Sequence, residues 1–276
     1  MSRRLIWCLA SLLACLVAFG QTTAKLEFEV VSIKPSAPPA RGMRVGCRGG
    51  PGRLDPVLLV CQNLDLFKLV AIAYDLDDYQ VSAPEWTHDV RYDLRAKVPE
   101  GTPKKQLGPM WQNLLADRFK LVVHRETRES QMYDLVVGKG GPKFKEASSV
   151  TPANDASRSS ADLKLDKNGY PSLGPGYHGM AVSGMRARMY YPQLTMGQLA
   201  REVSVELEKP VNDKTGLSGK YEIGLYWVYS DGLPDTDSGP TLVEALSDQL
   251  GLRLESKKGP LEFVVVDHAE RTPTDN

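Results

Sequence analysis

Histidine is scarce in this 276-residue sequence: four residues, at positions 88, 124, 178 and 268, none at metal-ligand spacing from another. No H-E-x-x-H, C-x-x-C, S-x-x-K or G-x-S-x-G occurs, which removes the common signatures of zinc peptidases, thiol redox enzymes, β-lactamases and α/β-hydrolases. No cofactor and no metal are implied. Net charge is lacking too, with 34 basic residues against 34 acidic. Strong attraction to nucleic acid or anionic lipid is therefore not indicated.

Long apolar runs are absent except at the start. Arg3-Arg4 precede LIWCLASLLACLVAF, and small and polar residues follow. A positive start, a short apolar core and a small-residue exit predict a secretory signal over 1–24, cleaved after Gly20 or Ala24. The run falls short of the roughly 20 residues a membrane-spanning helix needs. Leu12-Leu13-Ala14-Cys15 approximates a lipoprotein box, so lipidation at Cys15 is the alternative route to a membrane. Loss of Arg3 and Arg4 with the leader lowers the basic count from 34 to 32, a net of −2. Two of the four cysteines leave as well. Cys47 and Cys61 remain, flanking a Gly-rich turn in an exported and oxidising setting, and a disulfide-closed hairpin is expected.

The chain also repeats itself. Residues 63–81 (NLDLFKLVAIAYDLDDYQV) align without a gap to 193–211 (QLTMGQLAREVSVELEKPV). Three further blocks follow in the same order: Tyr92-Asp93-Leu94 on Tyr221-Glu222-Ile223, LLADRFKLVV on ALSDQLGLRL, and MYDLVVG on PLEFVVV. Helical spacing at Leu66, Leu69, Val70 and Ala73 recurs at Met196, Leu199, Ala200 and Val203. The pattern predicts an α+β fold of two duplicated α-β-β-α-β-β modules, each a small antiparallel or mixed sheet packed by two helices. The expected boundaries are 25–147 for module one, 148–175 for a Ser/Pro/Gly-rich linker and 176–276 for module two. Asn168-Gly169 favours a small hairpin inside the linker.

FEVVSIKP, AYDLDDYQVSAPEW, RYDLRAKVP, LLADRFKLVVHRETRE, KPVNDKTGLSGKYE and LGLRLESKKGPLEFVVVDHAERT, in that order, resemble a soil-associated bacterial family of exported proteins. That family is a domain of unknown function, and the resemblance covers nearly all the mature chain. Some of its members append this region to a membrane metallopeptidase, an activity that needs the missing H-E-x-x-H. More loosely, each repeat is similar to the short N-terminal modules of secretins and TonB-dependent receptors.

Individual motifs favour structure over chemistry. Asp213-Lys214-Thr215-Gly216 spells a phosphorylation motif of cation pumps, but the spans and nucleotide domain of a pump are missing. Asn212-Asp213, Gly216 and Gly219 instead predict the turn of a hairpin. HRETRE (124–129) places His124, Glu126 and Arg128 on one strand face, as a solvated edge or a copy-specific binding patch. Asp267-His268 lacks a nucleophile to complete a triad. Trp86 follows a turn proline, and Trp227 stands on a strand apolar on both faces. Trp86, Trp227, His124, Glu126 and Arg128 are the candidate binding residues; core packing is the simpler role for the two tryptophans. The expected function is binding or assembly in the cell envelope without catalysis. The partner would be an envelope protein, peptide or glycan, not nucleic acid. The alternative is an extracytoplasmic hydrolase with a carboxylate/His groove between modules.

Overall fold

A computed structural model describes residues 25–37, 45–148, 164–173, 178–229 and 239–274. The predicted leader with its two expected cleavage positions, and Cys15, lie outside the described residues, as does most of the predicted linker.

The chain is α+β. Its first half runs β1 (Val30–Pro35), β2 (Gly46–Gly49), β3 (Leu58–Asp65), α1 (Leu66–Tyr74), β4 (Val81–Ser82), β5 (Arg91–Lys97), α2 (Leu107–Phe119) and β6 (Val122–Val137). Its second half runs β7 (Lys145–Glu146), β8 (Gly179–Ser183), β9 (Arg186–Thr195), α3 (Met196–Leu207), β10 (Val211–Asp213), β11 (Lys220–Val228), α4 (Leu242–Leu250) and β12 (Leu252–His268).

Local chemistry sets the helix ends. Asp65 caps α1 through the Lys68 amide. Thr195 with Gln198, and Thr241 with Glu244, form reciprocal capping boxes on α3 and α4. Each such cap is worth about 1 kcal/mol. All four helices stop at a left-handed residue: Asp75, Lys120, Glu208 and Gly251. Only the last is glycine, so three side chains accept a conformation that normally disfavours them.

Two outer sheets have matching strand orders, β1-β5-β3-β2 and β7-β11-β9-β8. Between them lies a third sheet, β10-β6-β12-β4, to which both halves contribute. The sequence predicts two strands at the end of each repeat; one continuous strand is found, β6 with 16 residues and β12 with 17. The two run antiparallel from Leu252↔Val137 to His268↔Val122, and their mutual pairing carries both through the hydrophilic middle that suggested a break. The expected hairpin at residues 211–221 is also corrected. β10 pairs parallel with β6, while β11 pairs with β9 and β7, so the segment passes from one sheet to another. Its turn chemistry is as expected at Asp213, whose carboxylate accepts from the Thr215 amide and hydroxyl. Gly216 has φ +71°, but Gly219 has no such need. A Cβ there would sit 2.9 Å from the Tyr221 hydroxyl, so Gly219 supplies room.

The pairing exchanges core residues. One core packs α1, α2 and the first outer sheet, and takes in Leu121 together with Val264 and Val266 from the end of β12. The other packs α3, α4 and the second outer sheet, and takes in Leu252 together with Leu135 from the end of β6. Val264, Leu135 and Leu252 have no exposed surface. Each such side chain contributes about 1.5–3 kcal/mol by leaving water. Neither core is complete without the other half.

The disulfide joins Cys47 on β2 to Cys61 on β3, directly opposite in the ladder with a Cα–Cα distance of 4.0 Å. Cys61 is buried in the first core.

Two outcomes follow from this architecture. Leu135→Ala, placed in one half of the sequence but in the other half's core, should cost about 2–5 kcal/mol. The loss should appear as one shifted transition in both calorimetry and circular dichroism, and residues 25–148 alone should show no cooperative melt. For the disulfide, the Cys47→Ser/Cys61→Ser variant should lose about 3 kcal/mol in urea denaturation, the value for closing a loop near 15 residues. Free thiols at both positions in protein isolated without reductant, by mass spectrometry, would refute the bond.

Candidate functional site

A polar recess lies on the seam between the halves, a cleft of about 230 Å³. One wall is the connection from α1 to β4, with Asp75, Asp77 and Tyr79. The other is α3, with Gly197, Arg201 and Ser204, and the approach to β10 at Pro210 and Val211 closes it. Residues 197, 201 and 204 share a face because four- and three-residue steps return to the same side of a helix.

Each wall is fixed by backbone chemistry. Asp75 ends α1 in the left-handed region, where its amide bonds Ile72. Asp77 then opens a 3-10 turn over Asp78–Gln80 with a capping box, which sets Tyr79 toward α3. The Tyr79 hydroxyl lies 3.0 Å from Asp77 Oδ2 and 2.9 Å from Ser204 Oγ. Ser204 itself donates to the Lys209 carbonyl at 2.8 Å. Tyr79's single proton therefore serves the two oxygens it faces. Burial pushes the Tyr79 phenol up to about 12, so it stays a neutral donor at physiological pH. Arg201 is 3.9 Å from Asp77 and largely exposed. Asp75 has no side-chain hydrogen bond or ion pair among the described residues.

The arrangement offers carboxylates, a guanidinium and hydroxyls to a small polar molecule, with Gly197 leaving open space on the helix wall. It offers no histidine and no free nucleophile, since the Ser204 proton is committed to a carbonyl. Among the described residues, no group of three or more His, Cys, Asp or Glu could hold a metal ion. No helix there is long and apolar enough to cross a membrane.

The residues singled out in the sequence lie elsewhere. His124 Nδ1 is 2.8 Å and 3.0 Å from the two Asp267 oxygens, a pair 143 positions apart in sequence. Asp267, read beside His268 in the sequence, is thus engaged by a different histidine. Glu126 pairs with Arg128, whose guanidinium lies 4.7 Å above Phe263, and Arg125 pairs with Glu262. These pairs are about half exposed, so each is worth only about 0–1 kcal/mol. Beyond β12, no strand pairs with residues 124–129 among the described residues, leaving the run on an open edge. Trp86 packs against the first core under Arg271, 5.1 Å from its ring, and Arg271 is held by Asp89 at 3.1 Å. Trp227 is 1% exposed inside the second core, with no face for stacking a ligand and no partner for its Nε1. Cleft residues carried no motif. Their one signal is a change of residues within the aligned repeat, DLDDY against VELEK, with Lys209 where the first copy has Tyr79.

A second polar contact occupies the far side of α3. Glu206 accepts from the Tyr229 hydroxyl at 2.5 Å, and burial raises the Glu206 carboxyl above its ordinary range. A carboxyl raised in the folded state contributes stability below its unfolded value near 4.5, and loses it as pH rises through the folded value. Glu206→Gln keeps an acceptor for Tyr229 without the charge. The variant's melting temperature relative to wild type should be higher at pH 7 than at pH 4, measured by melts at both.

Residues 67–269 match the family described as "Protein of unknown function (DUF3738)". No curated protein and no solved structure matches the chain.

Proposed function

The chain belongs to this family of unknown function, and from that premise we propose that it acts by binding in the cell envelope and not by catalysis. The seam cleft carries the proposal. Its walls come from both halves, it presents Asp75, Asp77 and Arg201 beside a neutral Tyr79 that braces Asp77 against Ser204, and it holds no histidine. A small polar ligand, such as an envelope sugar or a peptide terminus, would bridge the α1–β4 connection and α3. The volume is below the roughly 300–1,000 Å³ of drug-sized pockets, which suits a ligand of a few heavy atoms or one end of a larger one. The hydrolase alternative receives less support. His88 engages Asp65 and His124 engages Asp267, and neither histidine lines the cleft.

In this proposal the chain is secreted or periplasmic, its leader removed after Gly20 or Ala24 or its Cys15 lipidated. The cross-strand disulfide supports an oxidising destination. It is also the product of a duplication, with repeats at 25–147 and 176–276. The matching strand orders of the outer sheets and the aligned blocks support that origin. The likeness to secretin and TonB-receptor modules is one of element order only, and carries no function.

Thermal shift of the mature chain against envelope glycans, short peptides and divalent metals tests the binding proposal. A ligand at 100 times its Kd should add about 2.7 kcal/mol of stability. Asp77→Asn and Tyr79→Phe should each reduce the shift. Silence across the panel would count against a small-ligand role.

A further inference from the structure

β6 is paired with β12 along its whole length on one side, and over only three residues on the other. On that second side β10 takes Tyr133 to Leu135, and among the described residues no strand pairs with 122–132. The backbone groups turned that way belong to odd-numbered residues: the Tyr133 amide donates to the Pro210 carbonyl, and the Leu135 carbonyl accepts from the Lys214 amide. β6 faces β12 without a register shift from Val123 onward. The amides and carbonyls of Val123, Arg125, Thr127, Glu129 and Gln131 therefore point outward as well. Among the described residues no other element bonds them.

The charges along this open stretch are complementary to themselves. Arg125-Glu126-Thr127-Arg128-Glu129 inverts its signs about Thr127, and Thr127 is also the midpoint of 122–132. A two-fold axis through Thr127 would lay β6 antiparallel to its own copy. Arg125 then faces the partner's Glu129, and Glu126 faces the partner's Arg128. Odd residues meet odd in this register, so each outward amide and carbonyl finds a bond. Opposite charges directly across an antiparallel pair stabilise it, and like charges oppose it. Moving the axis to Glu126 or Arg128 sets that charge against its own copy, which singles out the register about Thr127. A charged edge repels most strands, and this order of charges exempts one partner. Competing pairs within the chain are weak. Glu126 with Arg128 and Arg125 with Glu262 are largely solvated, and Glu129 has no ion pair among the described residues.

We propose that the open edge of β6 is a homodimer interface, with two copies joined strand to strand about Thr127. The middle sheets of the two copies become one continuous sheet, flanked at either end of the join by a β10. His124, Glu126 and Arg128, the residues of the conspicuous charged run, then lie along the join. This surface is separate from the seam cleft and needs no ligand there.

Sedimentation velocity of the mature chain from about 1 µM to about 1 mM should show monomer and dimer in equilibrium. Glu126→Arg and Arg128→Glu should each weaken dimerisation at least tenfold, because each sets like charges across the axis. Mixed in equal amounts, the two variants should dimerise with each other, since opposite charges face again. Thr127→Pro removes an amide that points out of the monomer, and should abolish the dimer while leaving the melting curve unchanged. If that variant fails to fold, the mixed pair still decides. A chain that stays monomeric to about 1 mM would overturn the proposal. So would a dimer indifferent to these substitutions, or single variants that weaken the dimer and do not recover on mixing. A cleft ligand found by thermal shift on a monomeric chain would leave the binding role standing and remove this interface alone. A dimer with a silent ligand panel would do the reverse.

Discussion

The antiparallel ladder between β6 and β12 holds the molecule together. Its sixteen residue pairs place the end of each long strand in the opposite core: Val264 and Val266 go into the first, Leu135 into the second. The short parallel strands repeat the exchange, β4 against β12 and β10 against β6. Hydrophobic burial is non-directional, so nothing in the cores themselves selects this crossing. The directional element is the backbone ladder, which fixes which side chain reaches which core.

That constraint creates the cleft. α3 and the α1–β4 connection belong to different halves and face each other because their neighbours β10 and β4 are pinned to opposite ends of the same two long strands. The Tyr79–Ser204 contact, 125 residues apart in sequence, is a polar seam added to an apolar crossing. A neutral tyrosine suits this position, because a second charge beside Asp77 would have to be desolvated without a full partner. The outer sheets show the complementary effect. Their strand orders match, yet one carries an internal turn over its outer face and the other exposes Val30 and Leu58.

Local features were legible in the sequence. Helical spacing located α1 and α3, turn chemistry explained Asp213, and the cysteine count gave the Cys47–Cys61 bond. What was not legible depends on partners far away in sequence. The charged run HRETRE looks like a loop because no single strand buries it; only pairing with residues 260–265 makes it part of a continuous strand. His124 and Asp267, Trp86 and Arg271, and the sheet to which β10 belongs are all fixed by the same crossing. Trp227 illustrates the converse. An aromatic on an all-apolar strand suggests either a core or an open stacking face, and α3 and α4 over the sheet settle it as core.

The exchange of strand ends also sets an order of events. β4 at Val81–Ser82 pairs with Val264–Val265, about two-thirds of the chain later. As the polypeptide emerges from its N-terminus, the first core therefore lacks Val264 and Val266 until β12 has appeared. Until then its apolar interior and the free side of β6 are open to misplaced partners, the hazard carried by any topology dominated by distant strand pairs. Charged side chains on an open strand edge, such as those of HRETRE beyond β12, disfavour pairing with another strand.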